Sequence, residues 1–329
     1  MIKTSSSNAI VAIDFHPDGE HLFSGSTDGV RQWWVADGQQ VGKRMGTVLT
    51  NVISVSRDCK WIVCGTVEGA SVWDAKTQEK AIELEITYVG ALDTSPDSTR
   101  FATGTGAGDK KVSIWNILTG ERLVGPLQHD GTIMGVKFSP NGERLATFCP
   151  TKNSIHVFDS HNGDQLIKID NEISDEWSAI TPLAWSTNGQ QIFAISSNTK
   201  IKCFDVSTGS QLAECQVQDD GDIVSIALAS NGKFLATFAD CSITFWDTST
   251  LTQIGPVIKE NQNIWPIVLS PDCSYLATGG YEGNITIHNL SNILPDSYGP
   301  FRVSTHVFMA SACRIPAPPL TLGAYSRRP

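Results

Sequence analysis

Three short stretches of this chain carry residue types and spacings that could do chemistry. The first, "RFATGTGAGDKKVSIWN" at 100–116, gathers Gly104, Gly106 and Gly108 with Lys110 and Lys111. Glycines that bare backbone N–H groups at the start of a helix would grip a phosphate. That chemistry needs a helix after Gly108, and residues 111–115 instead alternate polar and apolar types, the period of a strand. Asp109 also stands where a Walker loop requires its second glycine. The second stretch, "FSGSTDGV" at 23–30, has a serine among glycines, but the spacing is not that of a nucleophile elbow. The third is the pair His16 and His21, which flank a turn. With no third ligand apparent, they read as exposed surface histidines and not as a metal site.

Other site chemistry is excluded by pattern and composition. The chain has no H-E-x-x-H and no calcium loop of alternating acids. Its eight cysteines form no C-x-x-C pair, and Cys64, Cys149 and Cys203 sit in apolar stretches, as buried reduced thiols do. A net charge of -10 speaks against nucleic acid as a partner. No apolar run approaches the length of a membrane span, and "MIKTSSSNAIVAIDF" has no secretory signal. The expectation is a non-enzymatic cytoplasmic protein, with the nucleus as the other compartment, and without cofactor, metal or membrane contact.

What must position any site is a repeat. A turn recurs after a short apolar strand: "FHPDGEHL" at 15, "VSRDCKWI" at 55, "TSPDSTRF" at 94, "FSPNGERL" at 138, "WSTNGQQI" at 185, "LASNGKFL" at 228 and "LSPDCSYL" at 269. Such Ser/Pro/Asp/Asn/Gly clusters close hairpins. Beyond each turn stands an anchor: Trp33, Trp73, Trp115, Phe158, Phe204, Trp246 and His288. Anchor follows anchor at 40 to 46 residues, the length of a four-stranded propeller blade. A second turn precedes each anchor, and the glycine-rich stretch at 100–116 is the third of these. Its glycines serve a chain reversal.

These units resemble the WD-repeat (WD40-type) family of β-propellers over residues 9 to about 290. Trp73-Asp74 and Trp246-Asp247 match the family's Trp-Asp pair, while Trp115-Asn116, Phe158-Asp159 and Phe204-Asp205 approximate it. The resemblance is strongest to divergent propellers of filamentous fungi, including those fused to NACHT modules. No Walker motif or helical module is present here, so a free-standing propeller or a fragment of a larger protein is expected. What the resemblance implies is an all-β, seven-bladed β-propeller of four-stranded antiparallel blades around a channel. It also implies a hydrogen-bonded brace within each blade, made by a His, a Ser or Thr, an Asp and the Trp. Thr103, Asp109 and Trp115 retain three members in the third repeat, and Thr237, Asp240 and Trp246 in the sixth. The histidine survives only as His129 of the fourth repeat; elsewhere its slot holds Ser6, Gly46, Glu85, Glu176, Asp219 or Glu260.

Residues 1–300 are expected to form the propeller. The outer strand of its last blade comes either from residues 1–5 or from "FRVSTHVF" at 301–308, with the latter expected. Residues 309–329, rich in proline and small residues, read as a poorly ordered tail. The expected function is a protein-protein interaction scaffold, monomeric or part of a larger complex. Aligning the turns places Val11, Asn51, Gly90, Met134, Thr181, Val224 and Trp265 at the upper mouth as the candidate partner surface, with Trp265 as an anchor. Acids at 85, 176, 219 and 260 would favour a basic segment in the partner. Two other roles are the alternatives: a cullin-type ubiquitin-ligase substrate receptor, by resemblance of "VWDAK" with Trp73, Asp74 and Lys76 to that role's Trp-Asp box, and an enzyme using the channel as a pocket.

Overall fold

The computed structural model describes residues 4–5, 8–46, 48–106, 108–152, 154–171, 182–196, 199–217, 223–239, 241–261 and 264–299. Seven four-stranded sheets account for the strands among the described residues. Blade 1 is built from Ile10–Phe15, His21–Ser26, Gly29–Trp34 and Gln40–Met45, antiparallel throughout. The next five blades repeat this order from inner to outer strand. Two 3-10 turns, Pro150–Lys152 and Leu290–Asn292, are the helical segments among the described residues. None of the described helices is long and apolar enough to cross a membrane.

The seventh blade closes the ring. Ile264–Leu269, Tyr275–Gly280 and Asn284–Asn289 are joined on the outside by Thr4–Ser5, in the register Thr4 to Ile285 and Ser5 to Asn284. The outer strand is therefore taken from the N-terminal of the two candidate segments; residues 301–308 and the tail at 309–329 lie outside the described residues.

Second strands are buried over most of their length, wholly so in Phe234–Ala239, and carry apolar or small residues on both faces. Outer strands such as Gln211–Gln216 are largely exposed and alternate in sequence. A single blade cannot cover its own apolar faces, so burial is completed by the neighbour. Each of seven hydrophobic clusters lies between two consecutive blades. The seam between blades 7 and 1 has its own, in which Ala277, Ile285 and Ile287 pack on Ile10, Phe15 and Trp33.

The glycine-rich stretch is explained by this packing. Gly104 lies in the second strand of blade 3, where a Cβ would come within 2.6 Å of Ile133 Cγ2 in the approach to blade 4. Gly108 takes φ +125° in the turn, and the strand Lys111–Asn116 follows it. After the last strand, the chain folds back on blade 6. Tyr298 Oη donates to Asp247 Oδ2 at 2.6 Å, and Lys233 Nζ donates to the Ser297 carbonyl at 2.7 Å.

Candidate functional site

Innermost strands and the turns that follow them enclose a central cavity of about 820 Å³. Its wall is chemically divided. At one register position, blades 1 to 4 place Asp14, Ser54, Asp93 and Lys137, whereas blades 5 to 7 place Ala184, Ala227 and Val268.

The polar half is a chain of bonds from blade to blade. Asp14 Oδ2 accepts from the Val55 amide at 2.9 Å, Ser54 Oγ from the Thr94 amide at 3.1 Å, and Asp93 Oδ2 from the Phe138 amide at 2.8 Å. Asp93 Oδ1 also accepts from Lys137 Nζ at 2.8 Å. Burial pushes the Asp14 carboxyl up to about 6, against the opposing pull of the Val55 amide and the Lys137 charge. Burial alone would lower the Lys137 ammonium, but the Asp93 carboxylate beside it raises it above the usual lysine value. At the turn level, Arg100 fastens blade 3 to blade 4 by donating to the carbonyls of Ser160 and Gly142, each at 3.0 Å.

The expected mouth residues have different settings. Asn51 Nδ2 donates to the Val89 carbonyl of blade 3 at 3.1 Å. Met134 packs on the cluster between blades 4 and 5, and Val224 on that between blades 6 and 7. Val11 and Gly90 are half-buried. Trp265 lies in the strand Ile264–Leu269, while its side chain and all of Thr181 lie outside the described residues. Glu176 and Asp219 are outside them as well; Glu85 is exposed. On the same upper face, Val67, Tyr88 and Tyr281 are large apolar side chains left exposed, Tyr281 at 62 %. The mouth alignment, which counted only first-strand positions, passed these three over because they sit in connections.

Chemical candidates elsewhere are spent on structure. In "VWDAK", Asp74 Oδ1 accepts the amides of Lys76 and Thr77 at 2.9 and 2.7 Å. Asp159, Asp205 and Asp247 cap the equivalent turns in the same way, so nothing sets this box apart. Ser24 accepts from the Trp33 indole at 2.8 Å. Burial pushes the Cys64 thiol up to about 12 and the Cys203 thiol up to about 11, far from a reactive thiolate at neutral pH. His16 and His21, expected to be exposed, are buried against the turn with Asp18 between them.

The braces identify the repeat. Trp115 Nε1 donates to Thr103 Oγ1 and Trp246 Nε1 to Thr237 Oγ1, both at 2.9 Å, as Trp33 does to Ser24. Asp109 accepts from Thr87 Oγ1 at 2.5 Å, two residues after Glu85, the slot assigned to its partner. Asp240 lies outside the described residues. In blade 4, His129 Nε2 meets Thr147 Oγ1 at 2.9 Å while its ring stands edge-on to Phe158. Desolvation lowers the His129 imidazole to about 4, so it is neutral at physiological pH. Blade 7 exchanges the partners: Glu260 occupies the histidine slot and His288 the tryptophan slot, with Oε1 and Nε2 2.6 Å apart.

The family model described as "WD domain, G-beta repeat" matches residues 2–33, 85–116 and 209–247. Each match ends on or just past a tryptophan whose indole bonds a hydroxyl of the adjacent strand: Trp33, Trp115 and Trp246. In these three units the chain is similar to the WD-repeat family. In the other blades of this propeller the same bond is absent for a visible reason. Trp73 faces Cys64 in place of a hydroxyl and turns to Ser71 of its own strand, and blades 4, 5 and 7 lack the tryptophan.

Among its relatives, the propeller is 25% identical over 294 residues to a protein named eukaryotic translation initiation factor 3 subunit I in Aspergillus terreus, spanning 86% of this chain and 75% of the relative. It is 24% identical over 197 residues to the serine-threonine kinase receptor-associated protein of Dictyostelium discoideum, spanning 59% and 64%. Over 160 residues it is 29% identical to a guanine nucleotide-binding protein subunit beta of Oryza sativa subsp. japonica, spanning 46% and 41%.

Proposed function

We propose that this propeller is a non-catalytic scaffold of the cytoplasm that holds a protein partner on its upper face, as one subunit of a larger assembly. The observation that carries the reading is the pairing of a closed, braced ring with Val67, Tyr88 and Tyr281 left exposed on the connections of that face. Exposed aromatics on a rigid frame bury large area on binding at little entropic cost. The relatives support it: the Aspergillus protein is named as a subunit of an initiation factor, and the rice protein as a subunit of a nucleotide-binding protein. Trp265, at the start of an inner strand beside the same mouth, is assigned as the partner's anchor, with Val224 and Val11 of the flanking blades beside it. Glu85, exposed beside the same connections, favours a partner with a basic segment.

Affinity purification of the full chain from native cells, followed by cross-linking, tests this reading. Cross-links should fall on the upper connections, and Tyr281→Ala and Trp265→Ala should each lower recovery of the same partner with little change in melting temperature. Cross-links confined to the turns of the lower face would overturn it. A collapse of the melt in Trp265→Ala would show a core residue and remove the anchor assignment.

A further inference from the structure

The first turn of blade 1 departs from the other six. At the position after the inner strand, blades 2, 3, 4, 5 and 7 have Ser56, Ser95, Ser139, Ser186 and Ser270, and blade 6 has Ala229. Each of those serines donates to the Asp or Asn two residues on, at 2.5 to 2.7 Å. All five also accept the amide five residues on at 2.9 Å. Blade 1 puts His16 in the serine's place and His21 at the fifth position. A hydroxyl suffices for the turn, so two imidazoles there are a departure that the fold does not require.

The donors converge. Asp18 Oδ2 lies 2.8 Å from His16 Nδ1 and 2.7 Å from His21 Nδ1. Asp18 Oδ1 is occupied separately, accepting the amides of Glu20 and His21 at 2.8 and 3.0 Å. Both imidazoles are almost wholly buried, and Asp18 retains a narrow opening to solvent, with 12 % of its side chain exposed. The bonding around His16 Nδ1 is unbalanced. The Asp18 amide N–H points at that nitrogen at 3.3 Å, which calls for a lone pair there, yet a carboxylate oxygen faces it at 2.8 Å. A proton on Nδ1 would satisfy the carboxylate and forfeit the amide. A cation between them forfeits the same amide but engages a lone pair of each imidazole and of the carboxylate at once.

We propose that His16, Asp18 and His21 form a zinc site in the first turn of the propeller, with water completing the coordination. Two imidazole nitrogens and one carboxylate oxygen are a ligand set that zinc favours over magnesium or calcium. Tetrahedral zinc, with bonds of about 2.0 to 2.2 Å, holds its ligands roughly 3.3 Å apart, so the donors need to separate by about half an ångström to admit it. The ion would tie the start of the second strand to the end of the first, beside Pro17 at the lower rim of the channel. Trp34, whose ring centroid lies 4.0 Å from that of His21, stands next to the site.

Equilibrium dialysis of the purified full chain against zinc chloride, with metal analysis and calorimetry, tests the proposal. One zinc per chain at micromolar or tighter affinity is expected, together with a rise in melting temperature. His16→Ser installs the residue found in five other blades and should fold normally while losing at least 100-fold in zinc affinity. Asp18→Asn, which keeps the amide-accepting oxygen, should lose at least tenfold. On the unmodified protein, zinc should shift the ¹⁵Nδ1 resonances of two imidazoles and leave the others in place. Zinc absent after dialysis, equal binding by wild type and folded His16→Ser, or shifts at other histidines would each overturn the site.

Discussion

The two halves of the channel wall solve one problem differently. The last residues of the inner strands turn amides toward the preceding blade. In blades 2 to 4, a side chain of the preceding blade accepts that amide: Asp14 for Val55, Ser54 for Thr94, Asp93 for Phe138. In blades 5 to 7, Ala184, Ala227 and Val268 have no atom to accept with, and cohesion rests on the apolar clusters behind them. Apolar burial is non-directional, whereas a buried acceptor fixes register. The polar half is thus specified by geometry and the apolar half by area, and only the polar half responds to pH and to loss of a partner.

The contrast is broken most severely at Arg100. Removing this buried guanidinium in Arg100→Ala takes the donor from the Ser160 carbonyl and hydroxyl and leaves the Gly142 carbonyl with the Ser160 hydroxyl. A loss of about 3 kcal/mol in denaturant unfolding is expected. Next is the Asp93–Lys137 pair. Lys137 keeps 40 % of its side chain in contact with channel water, so screening moderates the effect. Asp93→Ala should cost about 2 kcal/mol, mostly through the freed Phe138 amide, and a double-mutant cycle with Lys137→Ala should return a coupling below about 1 kcal/mol.

Asp14 sharpens the comparison through pH. Its folded pKa of about 6 exceeds the unfolded 3.8, so the folded state holds the extra proton between these values and stability falls as pH rises through that window. Asp14→Asn retains an acceptor for the Val55 amide without the buried charge. It should gain about 1 kcal/mol over wild type at pH 7.5, and the difference should close by pH 4. His129 works in the opposite direction. Its folded pKa of about 4 lies below the unfolded 6.5, so its neutral form stabilises above pH 6.5 and that contribution is lost as pH falls toward 4. Melts of Asp14→Asn and His129→Gln from pH 4 to 7.5 should therefore depart from wild type with opposite slopes. The smallest effect is expected in the apolar half: Ala227→Ser, which offers an acceptor at the matching position, should change stability by less than about 0.5 kcal/mol.

Sevenfold order was legible because turn chemistry recurs at fixed offsets and each anchor closes a unit. Trp33, Trp115 and Trp246 carried the family signal for a physical reason, since an indole that must reach a hydroxyl across the strand pair constrains both residues. The exchange of Glu260 and His288 was present in the aligned slots and would have been found by pairing them. Ring closure was not legible: Thr4–Ser5 is too short to have a period, so the longer apolar segment at 301–308 drew the assignment. His16 and His21 were misjudged as exposed because flanking a turn was equated with facing water. Asp18 passed unnoticed as a ligand because the same position is an ordinary turn residue in every other blade. The division of the channel wall is invisible to hydrophobic patterning, which registers a lone Asp14 or Asp93 in a strand as an outward-facing residue.

Because Thr4–Ser5 pairs beside Asn284–Asn289, the first and last strands among the described residues are neighbours in one sheet. Topologically the molecule is already a loop with a nick. A circular permutant that bridges the nick with a flexible linker, and starts instead between the second and third repeats, would keep every blade in place while the two-rung seam became a continuous covalent stretch.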